Sequence, residues 1–262
     1  MILEQIVNNM IDSPASLADL RGLVAEMEGR AHGRGKGVST GHRGLDAAGV
    51  VRGRVHELFG DGGSGAAAGF AALMAFLAAE GAPVVWLRTD KAARRAPLYG
   101  PGLAALGIDP AACIVAQAPD EAALIAAAAD ALRVAALGAI IAESVGRTRV
   151  FGLTGTRKLA LTAEASGVPL FLLRLDAEAA PSAAETRWHI AAAPSQALAA
   201  DAPGHPAFDV ELLRRRAGPS GLGWRVEWDR DARVFREAPL SGAVVSVASG
   251  GAAGARRAHG VA

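Results

Sequence analysis

The chain has 262 residues, of which 51% are hydrophobic and 20% charged, and its formal net charge is +1. This composition allows one large α/β domain with a substantial core, and the small net charge excludes a global attraction to nucleic acid or anionic membranes. The single cysteine, Cys113, excludes an intrachain disulfide framework, and the N-terminal segment lacks the basic and apolar regions of a signal peptide, so we expect a cytoplasmic protein.

Residues 1–30 contain a predicted amphipathic helix. Ser13 is a suitable N-cap and Pro14 a suitable first helical residue. Apolar residues then recur on one helical face, and four of them are candidate contacts for a partner protein: Leu17, Leu20, Val24 and Met27. The pattern fits packing on the chain's own domain or docking on a partner, and both alternatives stay open. Residues 31–43 follow as a basic, glycine-rich linker.

Residues 44–240 are predicted to form one domain in which strands alternate with helices. The strands are short, continuous apolar runs, which indicates a parallel sheet covered on both faces: Val55–Phe59, Pro83–Leu87, Cys113–Val115, Ala139–Ala142 and Pro169–Leu173. The predicted helices between them are Ala66–Ala79, a short helix near Leu103, Glu121–Leu137 and Thr156–Ser166. The uncharged run Gly62–Ala79 approaches the length of a membrane span, but its glycine and alanine content favours a buried helix, and we expect no membrane contact.

Four further strands are predicted after Pro181, separated by short turns that favour antiparallel hairpins at the edge of the same sheet: Thr186–Ala192, Phe208–Arg214, Trp224–Trp228 and Arg233–Phe235. Residues 241–262 are mostly glycine, alanine, serine and valine without periodicity. This composition predicts a flexible tail.

A glycine-rich turn joins the first strand of the domain to its first helix, in the order typical of a phosphate-binding P-loop with pattern G-x-x-x-x-G-K-[ST]. Gly60 and Gly65 occupy its glycine positions, but Ala66 and Ala67 stand where the lysine and the serine or threonine are needed. The degenerate loop comprises Gly60, Gly62, Gly63, Ser64, Gly65, Ala66 and Ala67. Since the lysine contacts the phosphates and the hydroxyl holds Mg²⁺, we expect no cofactor beyond weak ATP or Mg²⁺ binding, and no significant hydrolysis. The alternative is a structural turn that lets the helix pack closely on the sheet.

The order of these segments resembles the RecA-like ATPase core. The approach Arg52–Gly60 looks like the segment that leads into the RecA P-loop, and Ala139–Val145 looks like a Walker B strand with Glu143 in place of the usual aspartate. Several later segments resemble the ImuA family, the RecA-like accessory proteins of bacterial mutagenic translesion synthesis, sometimes described as related to the division inhibitor SulA: Lys158–Val168, Leu172–Arg174, Ser182–Trp188, Ala192–Ser195 and Val210–Arg216. The resemblance spans about residues 40–237.

This resemblance implies a RecA-like, mostly parallel sheet flanked by helices, with antiparallel C-terminal strands. It also implies damage-induced expression and action with ImuB, a Y-family polymerase homologue, and with an error-prone DNA polymerase subunit. Asp90 replaces the glutamate that positions water in RecA-like ATPases, and Leu173-Arg174-Leu175 lacks the usual glutamine. We therefore expect a non-catalytic adaptor in SOS-induced error-prone translesion synthesis and DNA repair, with RecA and single-stranded DNA as further candidate partners.

Basic clusters are the remaining candidate sites: Arg30/Arg34/Lys36, Lys91/Arg94/Arg95, Arg214/Arg215/Arg216 and Arg256/Arg257. Clusters that converge on one face could follow a phosphate backbone, whereas isolated ones are ordinary solvated charge. Alternation along a strand puts Arg214 and Arg216 on one face and Arg215 on the other, so the candidate DNA contacts are Arg94, Arg95, Arg214 and Arg216. The histidines have no neighbouring ligands at metal-site spacing, so no metal site is predicted.

Two other functions remain open. A substitute lysine, such as Lys91 or Lys158, would make the chain an active, DNA-dependent RecA-type ATPase. Alternatively, a SulA-like chain would inhibit cell division by acting on FtsZ.

Overall fold

The computed structural model describes residues 35–195, 197, 202 and 204–238. The predicted partner helix with Leu17, Leu20, Val24 and Met27 therefore lies outside the described residues, as do Arg30, Arg34 and the C-terminal segment 241–262 with Arg256 and Arg257. The predicted boundaries of these outer segments remain predictions.

The described chain is built on one nine-stranded sheet with the order β3-β2-β4-β5-β1-β6-β7-β8-β9. The strands β1 to β6 pair in parallel, and β7 to β9 continue the sheet in antiparallel pairing. Their bounds are β1 Val55–Gly60, β2 Val84–Thr89, β3 Cys113–Ala118, β4 Ala139–Val145, β5 Leu170–Leu175, β6 Thr186–Ala192, β7 Ala207–Arg215, β8 Leu222–Asp229 and β9 Val234–Glu237.

Helices cover both faces of the parallel part of the sheet. Their bounds are α1 Arg43–Ala48, α2 Ala66–Ala79, α3 Asp90–Arg95, α4 Gly100–Ala105, α5 Glu121–Ala131 and α6 Leu153–Ser166, with a short 3-10 helix at Pro110–Ala112. One core lies between α2 and the sheet and continues beneath the C-terminal strands, and the other lies beneath α5 and α6. The central strands β1, β2, β4 and β5 are buried along nearly their whole length because both faces are covered.

The helix α2 is the most enclosed helix of the described chain. Its residues are almost all alanine, leucine, methionine or phenylalanine, so it forms a helix readily and exposes little polar surface. Its Phe70 ring packs against Phe208 of β7 and Phe235 of β9. Among the described residues, no helix has both the length and the apolar character needed to cross a membrane.

The predicted fold class, a mostly parallel sheet flanked by helices with antiparallel C-terminal strands, is confirmed, but several details differ from the prediction. The helix predicted at Glu121–Leu137 ends at Ala131. Turns closed by the N–H groups of Arg133 and Val134 follow it. They lead to Gly138, which packs closely on Ala79. The strand Thr186–Ala192 is not simply part of an antiparallel extension, since it pairs in parallel with β1 and in antiparallel fashion with β7.

Candidate functional site

The degenerate loop lies where β1 ends at Gly60 and α2 begins at Ala66, at the carboxyl edge of the parallel strands. Ala66 and Ala67 are buried, and both belong to the core beneath α2. Gly60 sits so close to the helix that a Cβ atom placed on it would lie 2.6 Å from Cβ of Ala67 and 2.8 Å from the carbonyl oxygen of Ile190. The glycine therefore permits close packing of α2 on the sheet, and the two alanines fill the space beside it.

Two carboxylates of the chain accept hydrogen bonds from the backbone of this loop. The N–H group of Gly62 donates to Oδ1 of Asp176 at 3.0 Å, and the N–H group of Gly63 donates to Oδ1 of Asp61 at 2.7 Å. In a working P-loop, such N–H groups cradle phosphate oxygens. Here the donors have anionic partners from the protein itself, and those carboxylates would also repel an incoming phosphate.

The next donors of the loop are also engaged locally. The N–H group of Ser64 bonds the carbonyl oxygen of Asp61 at 3.4 Å, and the N–H group of Ala66 bonds Oγ of Ser64 at 3.3 Å. Gly65, in the left-handed region with φ of 71°, serves as the N-cap of α2. The serine hydroxyl thus accepts from the first N–H group of the helix, while the N-cap Gly65 contributes no side-chain bond.

Arg95 is the cation at this loop. Its guanidinium forms an ion pair with Asp176, and a Cβ atom placed on Gly62 would lie 3.1 Å from its Cζ. We predicted Arg95 as a DNA contact, and the structure places it beside the loop at the end of α3. Sequence reasoning missed its pairing with Asp176 because the two residues are distant in the chain.

Glu143, at the Walker B position, is buried and fully engaged by neighbouring side chains. Trp86 donates its Nε1–H to Oε2 at 2.9 Å, and Arg88 donates to both oxygens at 2.7 Å. Arg88 and Glu143 face each other across the parallel pairing of β2 and β4. This carboxylate is consequently part of a buried ion pair that joins two central strands.

Arg88 also connects this ion pair to the loop. It donates to the carbonyl oxygens of Ala92 and Ala96, in and directly after α3. Since α3 carries Arg95, the buried pair fixes the helix from which Arg95 reaches Asp176. A continuous set of polar contacts therefore runs from Glu143 to the degenerate loop.

The candidate substitute lysines do not bond to the loop. The ammonium of Lys91 lies beside Gly146, after the end of β4, where a Cβ atom would come within 2.9 Å of it. Lys158 lies on the outer face of α6 with Leu161. Within the described ranges, neither lysine forms a hydrogen bond or an ion pair with residues 60–67.

Asp90 and Arg174 occupy the positions where we expected the glutamate and the glutamine of RecA-like ATPases, directly after β2 and near the end of β5. Asp90 opens α3 and lies 3.9 Å from Arg94 of the same helix. Arg174 is buried, with its guanidinium over the rings of Phe59 and Phe151, and burial lowers its pKa. It also lies 3.9 Å from Oε1 of the buried Glu57, so it combines packing on aromatic rings with an ion pair.

The candidate DNA contacts fall into two separate places. Arg94 and Arg95 lie on α3, with the Arg94 side chain largely exposed. Arg214 and Arg216, from the end of β7, line a cavity beside α6, whereas Arg215 donates to the carbonyl oxygen of Ala47 in α1. The described residues contain no group of three or more His, Cys, Asp or Glu side chains arranged to hold a metal ion.

The sheet and the strand–turn–helix at β1 and α2 define an α/β protein in which Ala66 and Ala67 stand where a P-loop has its lysine and its hydroxyl. No family model matches the chain. Two curated relatives are 36% identical to the chain over 156 residues. Both are named Protein ImuA, and they come from Caulobacter vibrioides strains NA1000 / CB15N and ATCC 19089 / CIP 103742 / CB 15. The match covers 55% of this chain and 60% of each relative, so the chain spans less than two thirds of their length.

This match confirms the similarity to ImuA that the sequence segments indicated. Among solved structures, the crystal structure of the RadB recombinase is similar at a TM-score of 0.49 and 13% identity, covering 77% of this chain and 100% of that one.

Proposed function

We propose that the chain is a non-catalytic RecA-like adaptor in SOS-induced error-prone translesion DNA synthesis, which binds an ImuB-type Y-family polymerase homologue. The similarity to ImuA supports the pathway. The occupation of the loop N–H groups by Asp61 and Asp176 supports the non-catalytic role and is the observation that carries it. RecA, an error-prone polymerase subunit and single-stranded DNA remain further proposed partners, and the cytoplasm remains the proposed location.

The energies of this site argue against useful nucleotide binding. A helix N-terminus contributes only about 0.3–2 kcal/mol to anion binding, whereas micromolar affinity needs about 8 kcal/mol. A P-loop covers the difference with its lysine and its bound metal. This loop has Ala66 and Ala67 in those positions, and a nucleotide phosphate must also displace Asp61 and Asp176 from their N–H donors.

Calorimetric titration with ATP and Mg²⁺ tests this part of the proposal. We expect no binding heat for the natural chain and none for Ala66→Lys/Ala67→Thr, because the carboxylates still hold the loop donors. Adding Asp61→Ala and Asp176→Ala to that variant frees these N–H donors and should produce measurable binding. Micromolar binding by the natural chain would contradict the proposal, since another residue would then have to replace the P-loop lysine.

A pull-down with an ImuB-type protein tests the adaptor role. We propose the N-terminal helix, with Leu17, Leu20, Val24 and Met27, as the contact, so removal of residues 1–30 should abolish capture. Gly37→Ala, at a position where an added Cβ meets no atom within 4 Å, is the matched control and should bind as the natural chain does. Unchanged capture by the truncated chain would remove this helix from the proposal.

A further inference from the structure

The outer face of α6 combines exposed leucines with cations, outside the degenerate loop. Leu153 and Leu161 are 56% and 62% exposed, which is high for leucine in a helix whose other face is buried. Arg157 lies between them at helical spacing, so the three residues form one stripe about 12 Å long. This stripe is apolar at both ends and positively charged in the middle.

A groove borders the stripe. Leu153, Arg157 and Leu161 line a cavity of about 450 Å³ that is closed on its other side by the segment Ser182–Ala184 and by Arg214 and Arg216. Lys158 lies on the other flank of the same helix face. The groove therefore has apolar contacts along α6 and cations on both margins.

The cations around this groove have no ion-pair partner among the residues that the structure describes. Arg157, Lys158 and Arg216 form no ion pair with any described residue, and Arg214 donates only a 3.4 Å hydrogen bond to the carbonyl oxygen of Ser182. The one carboxylate that lines the cavity, Glu164, is paired with Arg54 at 3.0 Å. A ligand that complements this surface must bring its own negative charge.

We propose that this α6 groove, lined by Leu153, Arg157, Leu161, Arg214 and Arg216 and flanked across the helix by Lys158, is a docking site for an acidic amphipathic helix of a partner protein. The exposed leucines decide between this ligand and a nucleic-acid backbone, because a chain of phosphates would leave them in water. An acidic helix with apolar side chains about two turns apart would cover both leucines and would place carboxylates beside the four cations.

Fluorescence anisotropy with the full chain tests this site. The probe is a fluorescein-labelled, glutamate-rich helical peptide with two leucines two turns apart, and the control peptide has the same composition with its leucines on opposite faces. We expect saturable binding of the first peptide at low salt and binding about tenfold weaker for the second. A labelled oligo-dT strand, titrated in the same way, measures whether the groove binds a nucleic-acid backbone instead.

Two variants and one matched control assign the binding to the groove. Arg157→Glu/Arg214→Glu and Leu153→Ser/Leu161→Ser should each weaken peptide binding by about tenfold. Arg230→Glu, in the turn after β8 and beside Gly107, should leave it unchanged. All substituted side chains are exposed or at the groove margin, so thermal unfolding of the variants should match that of the natural chain.

The proposal is overturned if neither peptide binds saturably, or if both bind equally. It is also overturned if oligo-dT binds with a dependence on Arg157 and Arg214 but none on the leucines, which would assign the groove to a phosphate backbone.

Discussion

At the scale of single residues, the buried ion pair of Arg88 and Glu143 shows how a carboxylate at a catalytic position in related folds can be committed to structure. Both side chains are nearly inaccessible to solvent, and Trp86 adds a third donor. Removing one partner of a buried pair leaves the other charge unpaired, which costs far more than replacing both by apolar side chains. A large loss in the free energy of unfolding is therefore expected only when one partner of the pair is removed and the other remains.

We expect Glu143→Gln to lower the free energy of unfolding by about 3–5 kcal/mol, because Arg88 remains buried without its counter-charge. The matched control is Arg88→Met/Glu143→Met, which should lie much closer to the natural chain. Urea unfolding followed by circular dichroism measures both, since fluorescence of Trp86 would itself change. A cost below about 1 kcal/mol for Glu143→Gln would show that the carboxylate is free to act elsewhere.

The buried His56 is expected to make the stability of the fold depend on pH. Burial is the main cause that lowers its pKa from 6.5 to about 4, with a smaller contribution from Arg54, while its hydrogen bond to Val51 acts in the opposite direction. The folded state thus binds fewer protons than the unfolded chain at low pH. The stability due to neutral His56 is fully present above pH 6.5 and is lost as the pH falls toward 4.

The loss over this range should reach about 3 kcal/mol for the natural chain, by the conversion of about 1.4 kcal/mol for each pKa unit. His56→Gln retains a side chain able to bond Val51 or Thr186 but removes the titration. The difference between the two unfolding free energies, measured in urea from pH 4 to 7, isolates the histidine from the carboxylates. Identical pH profiles would assign the acid sensitivity to other groups.

At the scale of elements, the unit formed by β1, the loop and α2 depends on the close approach of the helix to the sheet. We expect Gly60→Ala to cost about 1–3 kcal/mol, because its Cβ would overlap Ala67 and the carbonyl of Ile190, and backbone cannot move aside cheaply. Gly37→Ala is the control, since no atom lies within 4 Å of its Cβ position. Thermal unfolding of the two variants measures the difference, and equal stabilities would show that α2 can shift outward freely.

How well the sequence predicted each element depends on how local its determinants are. The helix Ala66–Ala79 was predicted with its observed bounds because a left-handed glycine precedes it and Glu80-Gly81 ends it. The end of Glu121–Leu137 was misplaced because it depends on the contact of Gly138 with Ala79, which no local pattern contains. The turn at Gly60–Gly65 joins β1 to α2 as expected, but no local pattern contains its contact with Asp176 after β5, or the pairing of Asp176 with Arg95 at the end of α3, because only the folded sheet brings these residues together.

At the scale of the whole molecule, the C-terminal strands share a core with the parallel sheet. Phe70 of α2 contacts Phe208 and Phe235, and Trp228 of β8 donates to the carbonyl oxygen of Leu106, after α4. The strand β6 also pairs with β1 on one side and β7 on the other. Since hydrogen bonds and side-chain packing both cross this boundary, residues 44–238 should unfold in one cooperative step.

The distribution of helices and tryptophans makes this expectation measurable. All described helices end before residue 167, so the helical circular dichroism signal reports on the parallel part of the sheet. In Trp86→Phe, Trp224 and Trp228 report on the antiparallel strand β8, and Trp188 reports on β6, which joins the parallel and antiparallel parts. The two signals should give one common midpoint in urea. Adding Phe70→Ala should lower the free energy of unfolding by about 3–5 kcal/mol and should therefore lower the midpoint for both probes equally. Separate midpoints, or a Phe70→Ala effect confined to the tryptophan signal, would mean that the antiparallel strands unfold independently of the parallel part of the sheet.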